Sequence, residues 1–356
     1  MTGIEKTVAS KSASGALVLC TILFCLCACT EDASYTAGVW YRRSDFDGVA
    51  RTDAAGFTIG NKGYICGGYN GKTTRLADTW EYDIEALWAT QEDWWTQRAD
   101  MPGTVRNAAT GFSVGSKGYV TTGYNPDQKY LSDTWEYNPE TNSWRQMDDF
   151  KGGARYYALG FGIDNYGYVG TGYNDNYLKD FYRFDPTAAA GSQWTIVNGF
   201  GGQKRQGGTA FVIDGKAYVC GGQNNNSDVS DFWCFDPSAA TPWTQLRDIA
   251  NTSDDDYDDD YTSIVRSYGV SFVIDGKAYL TLGSTAGGSY YSNYWIYDPA
   301  TDLWEGDDLT AFEGSTRIHA VCFSTGTRGI VATGGSGSSS YFDDTWELKP
   351  YEYEEE

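Results

Sequence analysis

The sequence predicts an all-β protein, a β-propeller of six four-stranded blades, and three observations predict it. The first is composition: of 356 residues, 43 are Gly and 16% are aromatic, while Pro (8), Met (3) and His (1) are scarce. That bias favours short strands and tight turns over helical bundles, and it excludes disorder. The second is a repeat headed by Arg51, Arg106, Arg155, Arg205, Arg266 and Arg317, at steps of 55, 49, 50, 61 and 51 residues. A period near fifty is that of a propeller or a similar array. The third is that the last repeat lacks its final strand, while the N-terminal segment carries a spare one.

Taken in chain order, residues 1–28 read as a targeting signal. Lys6 and Lys11 precede an apolar run at 16–28 that is too short to span a bilayer. It ends in Leu26, Cys27, Ala28 and Cys29, which resembles the lipobox of bacterial lipoproteins and implies lipid attachment at Cys29. An ordinary secretory cut nearby is the alternative. Glu31 and Asp32 resemble the acidic export signals of some surface lipoproteins, so an outer-membrane lipoprotein facing outward is expected, with the periplasmic side as the other option. Residues 29–38 are expected to form a tether, 39–350 the propeller, and 351–356 (YEYEEE) an acidic tail.

Each repeat places Phe six residues after its arginine (Phe57, Phe112, Phe161, Phe211, Phe272, Phe323). Tyr follows at thirteen (Tyr64, Tyr119, Tyr168, Tyr218, Tyr279, with Ile330 in the last copy) and Gly at seventeen, from Gly68 to Gly334. Next comes a run such as DTWEYD (78–83), DTWEYNP (133–139) or DFWCFDP (231–237), then a second Trp, as at Trp95, Trp144, Trp194, Trp243 and Trp304. This pattern resembles the Kelch motif over 39–350. The resemblance implies four strands per blade: a after the arginine, b into the Gly, c around the first Trp and d from the second. Residues 40–51 (WYRRSDFDGVAR) match 144–155 (WRQMDDFKGGAR), so the N-terminal segment is expected to close the ring as strand d of blade six. Asp214-Gly215 and Asp275-Gly276 mark type I′ a–b hairpins. The resemblance is specific for fold and silent on function.

Composition also limits the chemistry. A formal charge of −22 excludes phosphate-backbone binding, and one histidine excludes sites that need two. Cys66, Cys220, Cys234 and Cys322 lie in apolar strand contexts without CxxC spacing, and no metal is expected. They read as small buried hydrophobes, with a Cys220–Cys234 bridge as the alternative. No cofactor is implied, and the chain is expected to be monomeric.

The d–a and b–c loops share one face, which is where a ligand is expected. Candidate residues there are the six arginines, then Tyr156, Tyr157, Gln206, Tyr268 and His319 in the d–a loops and Tyr69, Tyr124, Tyr173, Gln223 and Asn224 in the b–c loops. Rings cover the apolar face of a sugar and amides fork to its hydroxyls; a peptide would suit them almost as well. An arginine present in every blade also reads as structural, and the blade-specific residues carry more functional weight. Asp53 is the one acid among the d–a positions. An insertion before Arg266 carries SDDDYDDDY (253–261) and reads as a solvated loop, a lid or a weak calcium site. The tether would turn the opposite face towards the membrane, where Lys62, Lys117, Lys216, Lys277 and Arg328 form a basic ring.

The expected function is therefore a lipid-anchored binding module for a glycan or protein ligand. The alternative is a cofactor-free sugar epimerase or mutarotase resembling Kelch-type N-acetylneuraminate epimerase, and a structural or assembly role is the third. A copper oxidase of the galactose-oxidase kind, which needs two histidines, is excluded.

Overall fold

The computed structural model describes residues 35–71, 74–86 and 94–355. Six four-stranded antiparallel sheets surround a central channel lined by every strand a. Blade one comprises Ala55–Ile59, Lys62–Tyr69, Arg75–Asp83 and Trp95–Arg98, and blade two Thr110–Val114, Lys117–Thr121, Thr134–Asn138 and Ser143–Gln146. Blade three comprises Leu159–Ile163, Tyr166–Gly170, Phe181–Phe184 and Trp194–Val197, and blade four Thr209–Ile213, Lys216–Cys220, Trp233–Phe235 and Trp243–Gln245. Blade five comprises Val270–Ile274, Lys277–Thr281, Tyr294–Asp298 and Leu303–Glu305. Blade six takes strands a to c from Val321–Ser324, Gly329–Ala332 and Thr345–Glu355, and its outer strand from Tyr35–Arg42.

The repeat's aromatic positions fill the wedges between blades. Phe57, Phe112, Phe161, Phe211 and Phe272 each stack on the Tyr of their own strand b at 5.1–5.7 Å. The same Phe then meets the next blade; Phe211, for example, lies 5.9 Å from Tyr297 of blade five. Each such side chain contributes about 1.5–3 kcal/mol by burial. At the a–b turns, Asp214 and Asp275 adopt φ of 49° and 48°, and the glycines after them 72° and 77°, as type I′ hairpins require.

The six repeat arginines are at most 1% exposed. Each donates Nε to a carbonyl two residues back and Nη1 to one sixteen residues on, as Arg106 does to Thr104 (2.8 Å) and Thr122 (3.0 Å). In five blades the guanidinium also grips an aspartate of the DTW-type run: Arg51–Asp78, Arg106–Asp133, Arg155–Asp180, Arg205–Asp231 and Arg317–Asp344. Burial pushes the pKa of Asp78, Asp133 and Asp344 up, but the arginine's hydrogen bonds and charge outweigh it and hold all three below the usual value. Blade five departs from this rule. Asn293 stands in place of the aspartate and gives Arg266 only its carbonyl and amide oxygens, at 3.2 and 3.1 Å. Burial without a carboxylate lowers the Arg266 pKa to about 10.

Tyr35–Arg42 pairs antiparallel with Thr345–Glu355, with Val39 opposite Lys349 and Arg42 opposite Trp346. Both strands overrun the boundaries drawn from the repeat: residues 35–38, expected in the tether, belong to strand d, and residues 351–355 continue strand c rather than hanging free as a tail. The alternation in YEYEE finds a partner in Tyr35–Ala37, and Ala37 is itself fixed by Asp308, Thr310 and the Tyr294 hydroxyl. Any side chain at Gly38, between these segments at φ 88°, would collide with that hydroxyl. The signal at 1–28, Cys29 and the rest of the tether lie outside the described residues.

The a–b cations expected to form a basic ring are each paired or hydrogen-bonded within their own blades. Lys62, Lys216 and Lys277 pair with Asp83, Asp236 and Asp298 of their own strands c, Lys117 donates to Asn138, and Arg328 pairs with Glu347. All four described cysteines are free, so Cys220 and Cys234 are not bridged.

Glu347 joins the ring's two ends. Its fully buried carboxylate accepts from Arg43, just past the N-terminal strand, and from Arg328 and Lys349, at 2.5–2.7 Å. Arg328 also donates to the carbonyl of Ile84 in blade one. Burial would raise the Glu347 pKa, but these bonds and charges bring it from 4.5 down to about 2. Its stabilisation is therefore complete above pH 4.5 and lost as pH falls towards 2. Glu347→Gln should cost about 3 kcal/mol in urea unfolding at pH 7 and flatten the loss of stability between pH 5 and 2. An unchanged acid limb would contradict the assignment. Asn293→Asp, which gives Arg266 the missing carboxylate, should raise stability by about 1–3 kcal/mol, read as a higher Tm; a lower Tm would show that the fifth blade does not need it.

Candidate functional site

The residue two after each arginine turns into the channel mouth with positive φ: Asp53 (56°), Ala108 (53°), Tyr157 (52°), Gly207 (61°), Tyr268 (58°) and His319 (56°). Five of the six are not glycine, so this costly conformation is held from outside. A closed circuit of backbone hydrogen bonds holds it. Ala108 N donates to Asp53 O, Tyr157 to Ala108, Gly207 to Tyr157, Tyr268 to Gly207, His319 to Tyr268, and Asp53 to His319, at 2.7–3.3 Å. The last link brings together residues from opposite ends of the chain. Inside the circuit lies a cavity of about 180 Å³ whose polar and aromatic side chains are Asp53, Tyr157, Tyr268 and His319.

These four form one polar cluster. His319 Nδ1 lies 2.9 Å from Asp53 Oδ1, with the two side chains 13% and 9% exposed. Tyr157 donates its hydroxyl to the same oxygen at 2.7 Å, and Asn107 Nδ2 reaches Oδ2 at 3.4 Å. Burial alone would raise the Asp53 pKa, but the charge and hydrogen bond of His319 and the bonds from Tyr157 and Asn107 hold it below the usual value. For Tyr157, burial and the Asp53 charge push the pKa well up, so its hydroxyl stays protonated. The Tyr157 ring stacks on His319 at 5.0 Å and 19°, and Tyr268 crosses it at 4.2 Å. With Nδ1–H committed to Asp53, Nε2 is the histidine nitrogen left for a ligand. Tyr268 is fixed in the opposite sense. Its oxygen accepts from Gln206 Nε2 and Gln223 Nε2, which leaves its own hydrogen to donate.

Above this circuit, the residue after each arginine pairs with the residue after the strand-b glycine: Thr52 with Tyr69, Asn107 with Tyr124, Tyr156 with Tyr173, Gln206 with Gln223. Tyrosines dominate this tier. Tyr341 meets Tyr69, Tyr124 meets Tyr156, Tyr130 stacks on Tyr156, and Tyr173 meets Tyr177, at 5.0–5.8 Å. Arg75 lies 4.0 Å over Tyr69 and donates to Asn107 Oδ1. Three buried oxygens of this tier, on Thr52, Gln206 and Ser267, have no hydrogen-bond partner among the described residues.

The structure thus brings together Tyr69, Tyr124, Tyr156, Tyr157, Tyr173, Gln206, Gln223, Tyr268 and His319, and places Asn224 in the blade-four b–c hairpin beside them. The six arginines do not join them. Arg51, Arg106, Arg155, Arg205, Arg266 and Arg317 spend their donors inside the blades, because a guanidinium excluded from water needs every bond it can make. Sequence reasoning missed Asp53, Asn107 and Arg75 as site residues. The repeat register held the signal for Asp53, which occupies the same repeat position as Tyr157, Tyr268 and His319; nothing in the register singles out Arg75. The 253–261 insertion packs elsewhere. Tyr261 buries against Trp295 and accepts from Trp304 N at 2.7 Å, and Asp258 is buried, accepting from Thr252 N, Ser253 N and Ser253 Oγ at 2.9 Å. Among the described residues no group of three or more His, Cys, Asp or Glu is placed to hold a metal ion.

The Kelch motif matches residues 50–102, 106–151 and 204–245, which are blades one, two and four. No curated protein matches the chain. The structures of 673 solved chains do, so the architecture is too widespread to specify an activity. One of them, the structure of YjhT, superposes with a TM-score of 0.67 at 15% identity, covering 85% of this chain and 95% of that one. That likeness carries the fold alone.

Because the chain has one histidine, its imidazole nitrogens can be read without assignment. In the neutral ring, ¹⁵N NMR should show the Nδ1–H tautomer, and Asp53→Asn should shift that ring towards Nε2–H. A wild-type ring already in the Nε2–H form would exclude the Asp53–His319 bond.

Proposed function

We propose that this six-bladed Kelch-motif propeller binds a glycan at its channel mouth. The observation that carries the reading is the fixed polarity of Tyr268 and His319. With the imidazole neutral, a committed O–H donor stands beside a free ring nitrogen, between stacked aromatic faces. A sugar hydroxyl donates and accepts at once, so a single hydroxyl satisfies both groups while the pyranose face lies on the rings. The tyrosine tier above the circuit extends the aromatic surface for a longer chain.

A second reading rests on the same pair. A histidine oriented by a buried carboxylate is equipped to move a proton, which supports cofactor-free anomer exchange of the bound sugar. For an acidic sugar such as N-acetylneuraminate, the repeat arginines are already spent, and Arg75 is a cation at the mouth.

A glycan array followed by titration calorimetry tests the first reading. Tyr157→Ala should abolish binding, and Tyr268→Phe should weaken it about tenfold, the worth of a buried hydrogen bond. NMR of anomer exchange in whichever sugar binds then separates the two. Exchange slowed by His319→Gln supports catalysis, and binding without exchange supports the module. An array with no binder would remove both.

A further inference from the structure

A row of side chains crosses each blade from strand b to strand d; its strand-c member is a carboxylate in blades one, two and six, the uncharged Cys234 and Ile296 in blades four and five, and a cation in blade three alone. In blade one Tyr64, Glu81 and Thr96 stand side by side, and Arg98 of strand d neutralises Glu81 at 2.8 Å. In blade two the row is Tyr119, Glu136 and Arg145, with the ion pair at 2.7 Å. Blade six puts Glu347 at this position, among its cations. Blade three reads Tyr168, Arg183 and Thr195. A cation occupies the carboxylate's place, and its strand-d neighbour is short and neutral.

Arg183 has no ion-pair partner among the described residues; its guanidinium lies 4.5 Å from the centre of the Tyr166 ring. Asp185, two residues on, spends Oδ1 on the Thr187 amide and hydroxyl at 2.9 and 2.7 Å. The arginine opens onto a groove of about 500 Å³ between blades three and four, walled by Val197, Phe235, Pro237, Ala240 and Pro242. The groove runs beside Trp194–Val197, the outer strand of its sheet, where Thr195 is exposed and Ile196 is 56% exposed. An open strand edge, an apolar trough and a cation with no carboxylate at ion-pair distance among the described residues lie together, on a protein whose formal charge is −22.

We propose that this edge receives an extended acidic segment of a partner protein as a fifth strand of blade three. Backbone pairing along Trp194–Val197 supplies the hold, as in other sheet-edge complexes. An apolar side chain fills the trough, and a glutamate reaches over the short Thr195 to Arg183, completing the ion pair that blades one and two complete internally. This surface is separate from the channel mouth and does not depend on what the mouth binds.

Fluorescence anisotropy with three labelled Val-Thr-X-Thr-Val peptides, X being Glu, Gln or Lys, so that the valines share the face of X, tests it on the intact protein. The Glu peptide should bind about tenfold tighter than the Gln peptide, and the Lys peptide weakest. Arg183→Gln should erase the difference between the Glu and Gln peptides, and Arg183→Glu should reverse the order in favour of Lys, both variants keeping the wild-type Tm. Equal binding of the three peptides, no binding up to millimolar concentration, or an order indifferent to Arg183→Glu would overturn the proposal.

Discussion

The mouth of this propeller depends on a closed circuit of six backbone hydrogen bonds, one per blade, in which every linking residue adopts a positive φ. For five of the six this conformation is unfavourable, and it persists because the next blade supplies the partner. Two residues before each link, a buried arginine ties the same loop to its own strands b and c. The loop geometry is therefore set before any functional side chain is chosen. Side chains at the link point where the circuit sends them, which is why Asp53, Tyr157, Tyr268 and His319 converge although they belong to blades one, three, five and six.

That convergence exists only if the chain ends meet. The bond from Asp53 N to His319 O is the link between first and last blades, and the N-terminal strand on blade six keeps them in place. Glu347, with cations from both ends around it, is a second tie across the same closure.

Much of this was legible from residue spacing. The in-register arginines gave the number of blades, and the match of 40–51 to 144–155 identified the spare strand. The Gly-bearing a–b turns appeared where Asp-Gly pairs promised them. The role of the arginines was less legible. Their aspartate partners stand in the quoted DTW-type runs, 25–27 residues on, but a spacing does not say that two groups exhaust each other's hydrogen bonds. Asp53 drew notice as the lone acid of its loop set, yet only the circuit shows that its partner is a histidine 266 positions away. The continuation of strand c to Glu355 was hidden because it pairs with Tyr35–Ala37, outside the repeat. In each case the missing information was a long-range pairing that local pattern does not encode.

The chemistry sits in the departures from the repeat. Residues that every blade shares are spent on folding; those that differ at equivalent positions line the mouth, and the Arg183 row shows the same logic on the rim. The central claim, that one sugar hydroxyl is read between His319 and Tyr268, is tested most directly by a crystal structure with a bound glycan. The account predicts a pyranose ring against Tyr157 and Tyr268, with a hydroxyl within hydrogen-bond distance of both His319 Nε2 and the Tyr268 oxygen. A glycan bound on the a–b face, or on the outer tyrosines with the histidine untouched, would contradict it.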